Sequence, residues 1–224
     1  MKQIGVLFLL FTLLTLACKD DDTTLPEEFV GLQYLPLKVG QESIYKIDSI
    51  IYNEFTGGVD TIRLQLRELV YESILDAEQR KAFEIGIYQR ANDTLEWRLI
   101  RVIRKTRTAS KYELLDNNQR TVPLIFPVSM DKKWDVNSLN ATAEVEYLYK
   151  SVNESLLLNG VNYDSTLSVI QLDEENLIER QFAEEKYALG FGLIYRRDLN
   201  IETDFDNNIL SGYDATVELI SFSN

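Results

Sequence analysis

Residues 44–71 read IYKIDSIIYNEFTGGVDTIRLQLRELVY, two apolar-rich segments on either side of a glycine turn. Ile44–Tyr52 and Val59–Tyr71 are rich in β-branched and aromatic residues, and their apolar positions recur mostly with a period of two. Residues 53–58 between them end in two glycines, which permit the positive φ angles of a tight turn. The stretch therefore predicts a β-hairpin.

The same pattern of strand and turn continues along the chain. Asn159-Gly160 is a strong hairpin signal, and residues 141–149 show the cleanest alternation, which predicts a half-buried strand. Residues 73–80 are expected to be a connection with room for one helical turn. The other predicted strands are 82–89, 94–107, 111–115, 120–126, 163–172, 179–188, 193–201 and 209–222. We therefore predict a mainly β protein with little helix, a single antiparallel meander that forms a barrel or a strongly curved sheet, because a flat sheet this wide would expose two edges.

The N-terminal residues predict where the protein is located. Lys2 precedes an apolar run, Ile4–Leu14, that is too short to span a bilayer, and the run ends at the chain's single cysteine, Cys18. This is typical of a signal peptide, here residues 1–17. Thr15-Leu16-Ala17-Cys18 resembles the lipobox of Bacteroidetes-type lipoproteins, which implies a diacylglycerol with palmitate-type chains on the Cys18 sulfur. The alternative is a small buried cysteine, but four charged residues follow it directly.

Those four charges, Lys19, Asp20, Asp21 and Asp22, have two interpretations. They resemble the acidic export signal of Bacteroidetes-type surface lipoproteins, which implies an outer-membrane protein that is lipid-anchored and displayed at the cell surface. Alternatively, they form a solvated spacer. The expected organisation is a signal peptide at 1–17, a lipidated cysteine and acidic tether at 18–30, and a β domain at 31–224.

Composition excludes several classes of function. The chain has a formal net charge of −13, which argues against a nucleic-acid partner. It contains no histidine, which removes Ser-His-Asp catalysis and the usual zinc sites. Phosphate-binding glycine loops are also missing, so we expect no cofactor. Asp204–Asn208 begins like a calcium loop but lacks its later Gly and Glu, so we predict a turn and no metal site.

Two motifs in the body of the chain resemble uncharacterised Bacteroidetes-type lipoproteins. The first is the opening Leu35–Gly40 with the strand Tyr45–Tyr52, and the second is the corner Tyr187–Tyr195, with Gly190 and Gly192. The resemblance implies no catalytic residues.

A third pattern, Asp followed by Ser or Thr and then by an apolar residue or Thr, resembles the O-glycosylation sequon of exported Bacteroidetes-type proteins. It occurs several times, and Thr23, Thr61 and Thr94 are the predicted acceptors. The alternative is that Asp-Ser and Asp-Thr simply begin strands after turns.

Two classes of function remain open. The first is a non-enzymatic envelope lipoprotein, a binding or structural module held to the membrane through Cys18, with a protein, a glycan or an apolar ligand as partner. Aromatic residues could line its site, although they are more typical of core and rim packing: Tyr34, Tyr45, Trp97, Trp134, Tyr147 and Tyr149. The second is a carboxylate-dependent hydrolase of surface polysaccharide, which needs two carboxylates across a pocket.

Overall fold

A computed structural model describes residues 30–224. It contains one short 3-10 helix, Leu32–Tyr34, followed by twelve β-strands. The strands are β1 Glu42–Tyr52, β2 Val59–Leu75, β3 Lys81–Arg90, β4 Arg98–Arg107, β5 Lys111–Asp116, β6 Gln119–Ile125, β7 Lys133–Asp135, β8 Glu146–Leu158, β9 Val161–Glu175, β10 Glu179–Ala188, β11 Gly192–Thr203 and β12 Ile209–Ser223.

All twelve strands belong to one antiparallel sheet in the order β6-β5-β4-β3-β2-β1-β12-β11-β10-β9-β8-β7. The first and last strands are therefore neighbours, and the sheet edges are β6 and β7. Side chains and one backbone bond bring these edges together. Trp134 Nε1 donates to Val122 O at 2.7 Å, and Val122 N donates to Val136 O at 2.8 Å. The sheet is thus a nearly closed barrel with little helix among residues 30–224, and the predicted fold class is confirmed.

The N-terminal segment, residues 30–37, crosses one end of the barrel, which we call the closed end. Arg107 Nη1 donates to Leu32 O at 3.0 Å and to Leu35 O at 2.8 Å, and Gly190 N donates to Gln33 O at 2.9 Å. The Tyr34 ring beneath is 1% exposed. The opposite end, which we call the tip end, carries the turns at 53–58, 176–178 and 204–208.

The two motifs that resemble Bacteroidetes-type lipoproteins meet at the closed end. Gly190 and Gly192 have φ angles of +81° and +84°, as the predicted sharp corner between two strands requires. A Cβ at Gly192 would lie 3.7 Å from Pro36 Cδ. The glycine corner of the second motif therefore lies against Pro36 of the first motif and supports the N-terminal segment.

The strand predicted for residues 141–149 is wrong in its first half. Residues 141–145 form an irregular loop, and the strand begins only at Glu146. Side-chain hydrogen bonds replace the ladder there: Asp135 Oδ1 accepts from Val145 N at 3.0 Å, and Asn137 Nδ2 donates to Ala143 O at 2.7 Å. Asp and Asn compete with regular structure in this way. The short strand β7 immediately before the loop was not predicted.

The connection predicted at residues 73–80 contains no helical turn. Strand β2 continues to Leu75, and a tight turn follows. Asp76 Oδ1 accepts from the backbone N–H groups of Glu78 and Arg80, both at 2.9 Å, and this arrangement closes a turn instead of a helix.

Candidate functional site

A cavity of about 230 Å³ lies inside the barrel above the closed end. Leu35, Pro36 and Leu37 of the N-terminal segment contribute to its lining. The walls come from strands whose alternate residues point inward, such as Leu66-x-Glu68-x-Val70 on β2 and Arg101-x-Ile103-x-Lys105 on β4. The barrel interior thus contains charged as well as apolar side chains.

The first polar group of the cavity is an ion pair between β2 and β4, the strands on either side of β3. Lys105 Nζ donates to Glu68 Oε2 at 2.6 Å, and the two side chains are 14% and 23% exposed. Burial works against the Lys105 ammonium, but the Glu68 carboxylate outweighs it, so the pKa of Lys105 is raised. Burial, followed by the charge of Glu68, also raises the pKa of Tyr45, so its hydroxyl stays protonated at neutral pH.

The second polar group lies on β10 and β11. Tyr187 OH donates to Glu185 Oε2 at 2.6 Å, and Arg196 Nη1 lies 3.8 Å from Glu185 Oε1. Burial, followed by the charge of Glu185, raises the pKa of Tyr187 well above its ordinary value. The hydroxyl therefore remains a donor to the carboxylate throughout the physiological range.

The charges that line the cavity balance. Glu68 is paired with Lys105, Glu185 lies nearest to Arg196, and Arg101 Nε lies 3.1 Å from Asp116 Oδ2. Three acids and three bases make a net charge of zero. Side-chain exposure rises from 10% at Glu185 to 46% at Arg101 and Arg196, so the cavity opens to solvent beside these two arginines.

Two acceptor atoms among the lining residues have no partner within residues 30–224. They are Gln41 Oε1 and Asp116 Oδ1, each buried and without a hydrogen bond. Gln41 as a whole is only 7% exposed. An unsatisfied buried acceptor costs about 1–3 kcal/mol, and both atoms are closed to a molecule the size of water.

The predicted site residues lie away from this cavity. Cys18, Lys19–Asp22 and Thr23 fall outside the described residues. Thr61 is exposed on β2, and Thr94 is exposed in the β3–β4 turn, where its hydroxyl donates to Asn92 Oδ1 at 2.6 Å. Glycosylation at these threonines stays a prediction.

The aromatic residues considered for a binding site divide into three groups. Tyr45 lines the cavity. Tyr34, Trp134 and Tyr149 are buried in the core, where the Trp134 and Tyr149 rings are 4.6 Å apart, and Tyr147 packs against that core. Trp97 lies between the Arg67 and Arg90 guanidinium groups, 5.3 and 4.3 Å from its ring centre.

Sequence reasoning missed most of the cavity, including Gln41, Lys105, Tyr112 and Tyr187. One signal was available: Glu68 occupies the apolar face of its strand, between Leu66 and Val70 at a spacing of two. A charge in an otherwise apolar inward set indicates a polar interior.

The loop at Asp204–Asn208 is a turn, as predicted. Asp204 Oδ1 accepts from Asp206 N at 2.9 Å and from Asn208 N at 2.8 Å, so the carboxylate is used within the turn. Throughout residues 30–224, no group of three or more acidic side chains is placed to hold a metal ion. In the same part of the chain, no helix is long and apolar enough to cross a membrane.

Comparison with known proteins finds only weak structural similarity. No protein-family model matches the chain, and no curated protein sequence matches it. A crystal structure of a presumed lipoprotein from Parabacteroides distasonis is 12% identical with a TM-score of 0.43, covering 85% of this chain and 98% of that one. A presumed outer membrane lipoprotein-sorting domain from Vibrio parahaemolyticus is 12% identical with a TM-score of 0.20, covering 81% and 84%. At this low similarity, function has to be inferred from the residues of this chain.

Proposed function

We propose that this protein is a lipid-anchored lipoprotein of the outer membrane, displayed at the cell surface, that binds a small ligand in its barrel without chemical turnover. The observation that carries the binding function is the cavity of about 230 Å³, which is lined by paired charges and by the rings of Tyr45, Tyr112, Tyr187 and Phe191 and opens to solvent beside two arginines. Pockets for small ligands are mostly apolar, with a few placed polar groups that orient the ligand. The lining of this cavity contains both kinds of side chain.

The position of the N-terminal segment supports an anchored arrangement. Residue 30 lies at the closed end of the barrel, beside Val128, whose N–H donates to Val30 O at 3.2 Å. A chain from Cys18 to this point spans at most about 40 Å. Anchoring through Cys18 would therefore hold the closed end toward the membrane and leave the tip end facing away from it. Two acyl chains are sufficient for stable attachment.

Carboxylate-dependent hydrolysis is the second candidate, and one observation favours keeping it. Glu68 and Glu185 both line the same cavity. Each has a cation nearby, Lys105 at 2.6 Å and Arg196 at 3.8 Å. Glycoside hydrolysis needs one carboxylic acid that can give up a proton to the leaving group. Compensation of both charges by cations favours binding over this reaction.

The anchor is tested by Cys18→Ala. The variant should lose incorporation of labelled fatty acid and leave the membrane fraction. Ser155→Ala, at an exposed position of β8, is a control that should retain both properties. Membrane retention of the Cys18 variant at the wild-type level would contradict the anchor.

The surface location is tested by replacing Asp20, Asp21 and Asp22 together with Ala. Protease added to intact cells should degrade the wild type, whereas this variant should stay in the membrane fraction and be protected. The spacer interpretation predicts no change in location. A wild type that is protected in intact cells and cut only after lysis would leave the protein facing the periplasm.

The hydrolase alternative is tested with Glu68→Gln and Glu185→Gln. The wild type and both variants are incubated with purified surface polysaccharide, and new reducing ends are measured. We expect none from any of them. Release by the wild type that both variants abolish would replace binding with catalysis.

A further inference from the structure

Three hairpin turns at the tip end each present one large apolar side chain to solvent. Phe55 lies in the β1–β2 turn, Leu177 in the β9–β10 turn and Phe205 in the β11–β12 turn, and they are 99%, 82% and 85% exposed. We call these three side chains the tip residues. Single exposed apolar residues are common on protein surfaces. A group of them on neighbouring hairpins is unusual, and exposed apolar patches often mark an interaction site.

The register of the sheet places the three tip residues at nearly the same distance along their strands. One row of paired residues crosses β1, β12, β11 and β10: Tyr52, Gly212, Ile201 and Arg180. Counted from this row, Phe55 and Leu177 lie three residues beyond it and Phe205 lies four. Neighbouring strands are about 4.8 Å apart, so the three turns form a row roughly 20 Å long. The tip residues therefore project together from one end of the sheet.

Side-chain hydrogen bonds fix the backbone of all three turns. In each turn an Asn or Asp side chain accepts from a backbone N–H two residues further on: Asn53 from Phe55 at 3.0 Å, Asn176 from Ile178 at 3.0 Å and Asp204 from Asp206 at 2.9 Å. A turn that is held in this way does not have to be ordered when a partner binds, which removes part of the entropic cost of association. The tip residues are thus presented in a fixed arrangement.

Acidic residues surround the row of tip residues. Residues 53–60, 173–180 and 202–208 contain nine acidic residues and one cation, Arg180. The Arg180 charge is already used, because its Nη2 lies 2.8 Å from Asp173 Oδ1. This end of the barrel is therefore strongly negative. An anionic lipid surface would be repelled by it, whereas a positively charged protein surface would be attracted and steered toward it.

We propose that the tip end is a docking surface for a protein partner whose contact face combines apolar pockets with lysine or arginine residues. The pockets receive Phe55, Leu177 and Phe205, and the cations lie against the surrounding carboxylates. A few anchor side chains supply most of the affinity at protein interfaces, while charges at the rim mainly set the rate of association and the choice of partner. This surface is separate from the cavity, whose lining includes none of the tip residues.

The test begins with photocrosslinking in intact cells that make the full chain. The photoreactive amino acid p-benzoylphenylalanine replaces Thr56, which is exposed beside Phe55. In a control strain it replaces Ser155, which is exposed on β8 toward the other end of the barrel. Irradiation should join the first protein to a discrete second protein and should give no such product with the control.

A triple variant then tests the apolar anchors. Phe55→Ser, Leu177→Ser and Phe205→Ser together should lower the yield of the crosslinked product at least tenfold. The urea midpoint should stay unchanged, because the three side chains are almost wholly exposed. Leu157→Ser is the matched control, since Leu157 is a 70% exposed apolar residue on β8; it should change neither property.

The charge requirement is tested with the captured protein after its purification. Its affinity for the full chain in detergent should weaken at least tenfold between low and high salt, because ions screen exposed charges. A variant with Glu54→Gln, Glu179→Gln and Asp206→Asn keeps the tip residues but lowers the negative charge. It should bind more weakly at low salt and depend less on salt.

Four results would overturn the proposal. A crosslinked product with the added mass of a lipid would make the tip end a membrane contact. An absent product at Thr56, or an equal yield in the triple variant, would mean that the tip residues bind no partner. A lower urea midpoint of the triple variant would assign these side chains to the fold. An affinity that is the same at every salt concentration would exclude a cationic partner.

Discussion

Replacing Lys105 by Met tests whether the interior of the barrel depends on paired charges. Lys105 Nζ lies 2.6 Å from Glu68 Oε2, and the two side chains are only 14% and 23% exposed. Breaking a buried pair by removing one partner costs about 3–5 kcal/mol because the other charge is left uncompensated. Since Glu68 retains some contact with solvent, we expect a smaller loss of about 2–3 kcal/mol.

That loss should be visible in urea denaturation at pH 7 as a lower midpoint with an unchanged slope. It corresponds to a fall in melting temperature of roughly 5–10 °C for a chain of this size. The matched control is Lys133→Met. Lys133 Nζ lies 2.7 Å from Glu146 Oε1, nearly the same distance, but the two side chains are 56% and 54% exposed. Exposed pairs contribute about 0–1 kcal/mol, so the control should lose little.

The pH dependence has a defined sign. The pKa of Lys105 is raised in the folded protein, so its contribution to stability is complete below the unfolded pKa of about 10.4 and is lost as pH rises through the folded pKa. The wild type should therefore lose stability relative to Lys105→Met above about pH 10.

A double variant, Lys105→Met with Glu68→Leu, separates charge from packing. Removal of both charges should restore most of the stability that the single variant loses. The reasoning is refuted if Lys105→Met loses no more than Lys133→Met. It is also refuted if the double variant is as unstable as the single one.

Three further variants test the architecture by urea denaturation. Gly212→Ala should lower the free energy of unfolding by at least about 2 kcal/mol, because φ is +114° there and a Cβ would lie only 2.0 Å from Asn200 O. A loss below about 0.5 kcal/mol would contradict this. Trp134→Phe should lose about 1–3 kcal/mol, since it removes the side-chain donor to Val122 O and leaves only the backbone bond from Val122 N to Val136 O at this place. An unchanged midpoint would mean that the side-chain bond does not contribute to closing the barrel. Arg80→Met should lower the free energy of unfolding by about 3 kcal/mol, because the Arg80 guanidinium donates to both oxygens of the buried Glu113 carboxylate, at 2.8 and 2.9 Å. A loss as small as that of Lys133→Met would refute a structural role for this pair.

Local patterns in the sequence were sufficient for most of the strands. The segment 179–188 was predicted with the bounds that the structure has, and the hairpin around residues 53–58 has its predicted turn. These elements depend on alternation along one strand and on glycine or asparagine at turns, which are properties of adjacent residues. Where side-chain hydrogen bonds replaced the ladder, at residues 141–145, alternation alone gave a false strand.

The barrel closure and its cavity depend on residues that are distant in sequence. Glu68 and Lys105 are 37 residues apart and meet only because β2, β3 and β4 lie side by side. Alternation indicates that Glu68 shares a face with Leu66 and Val70, but it does not say which cation lies opposite. The residue pattern was enough for most of the strands and for their antiparallel order, because each hairpin depends on adjacent residues. The pairing of interior charges, the closure through Trp134 and the orphan Gln41 acceptor arose only on folding, because each depends on the curvature that twelve strands produce together.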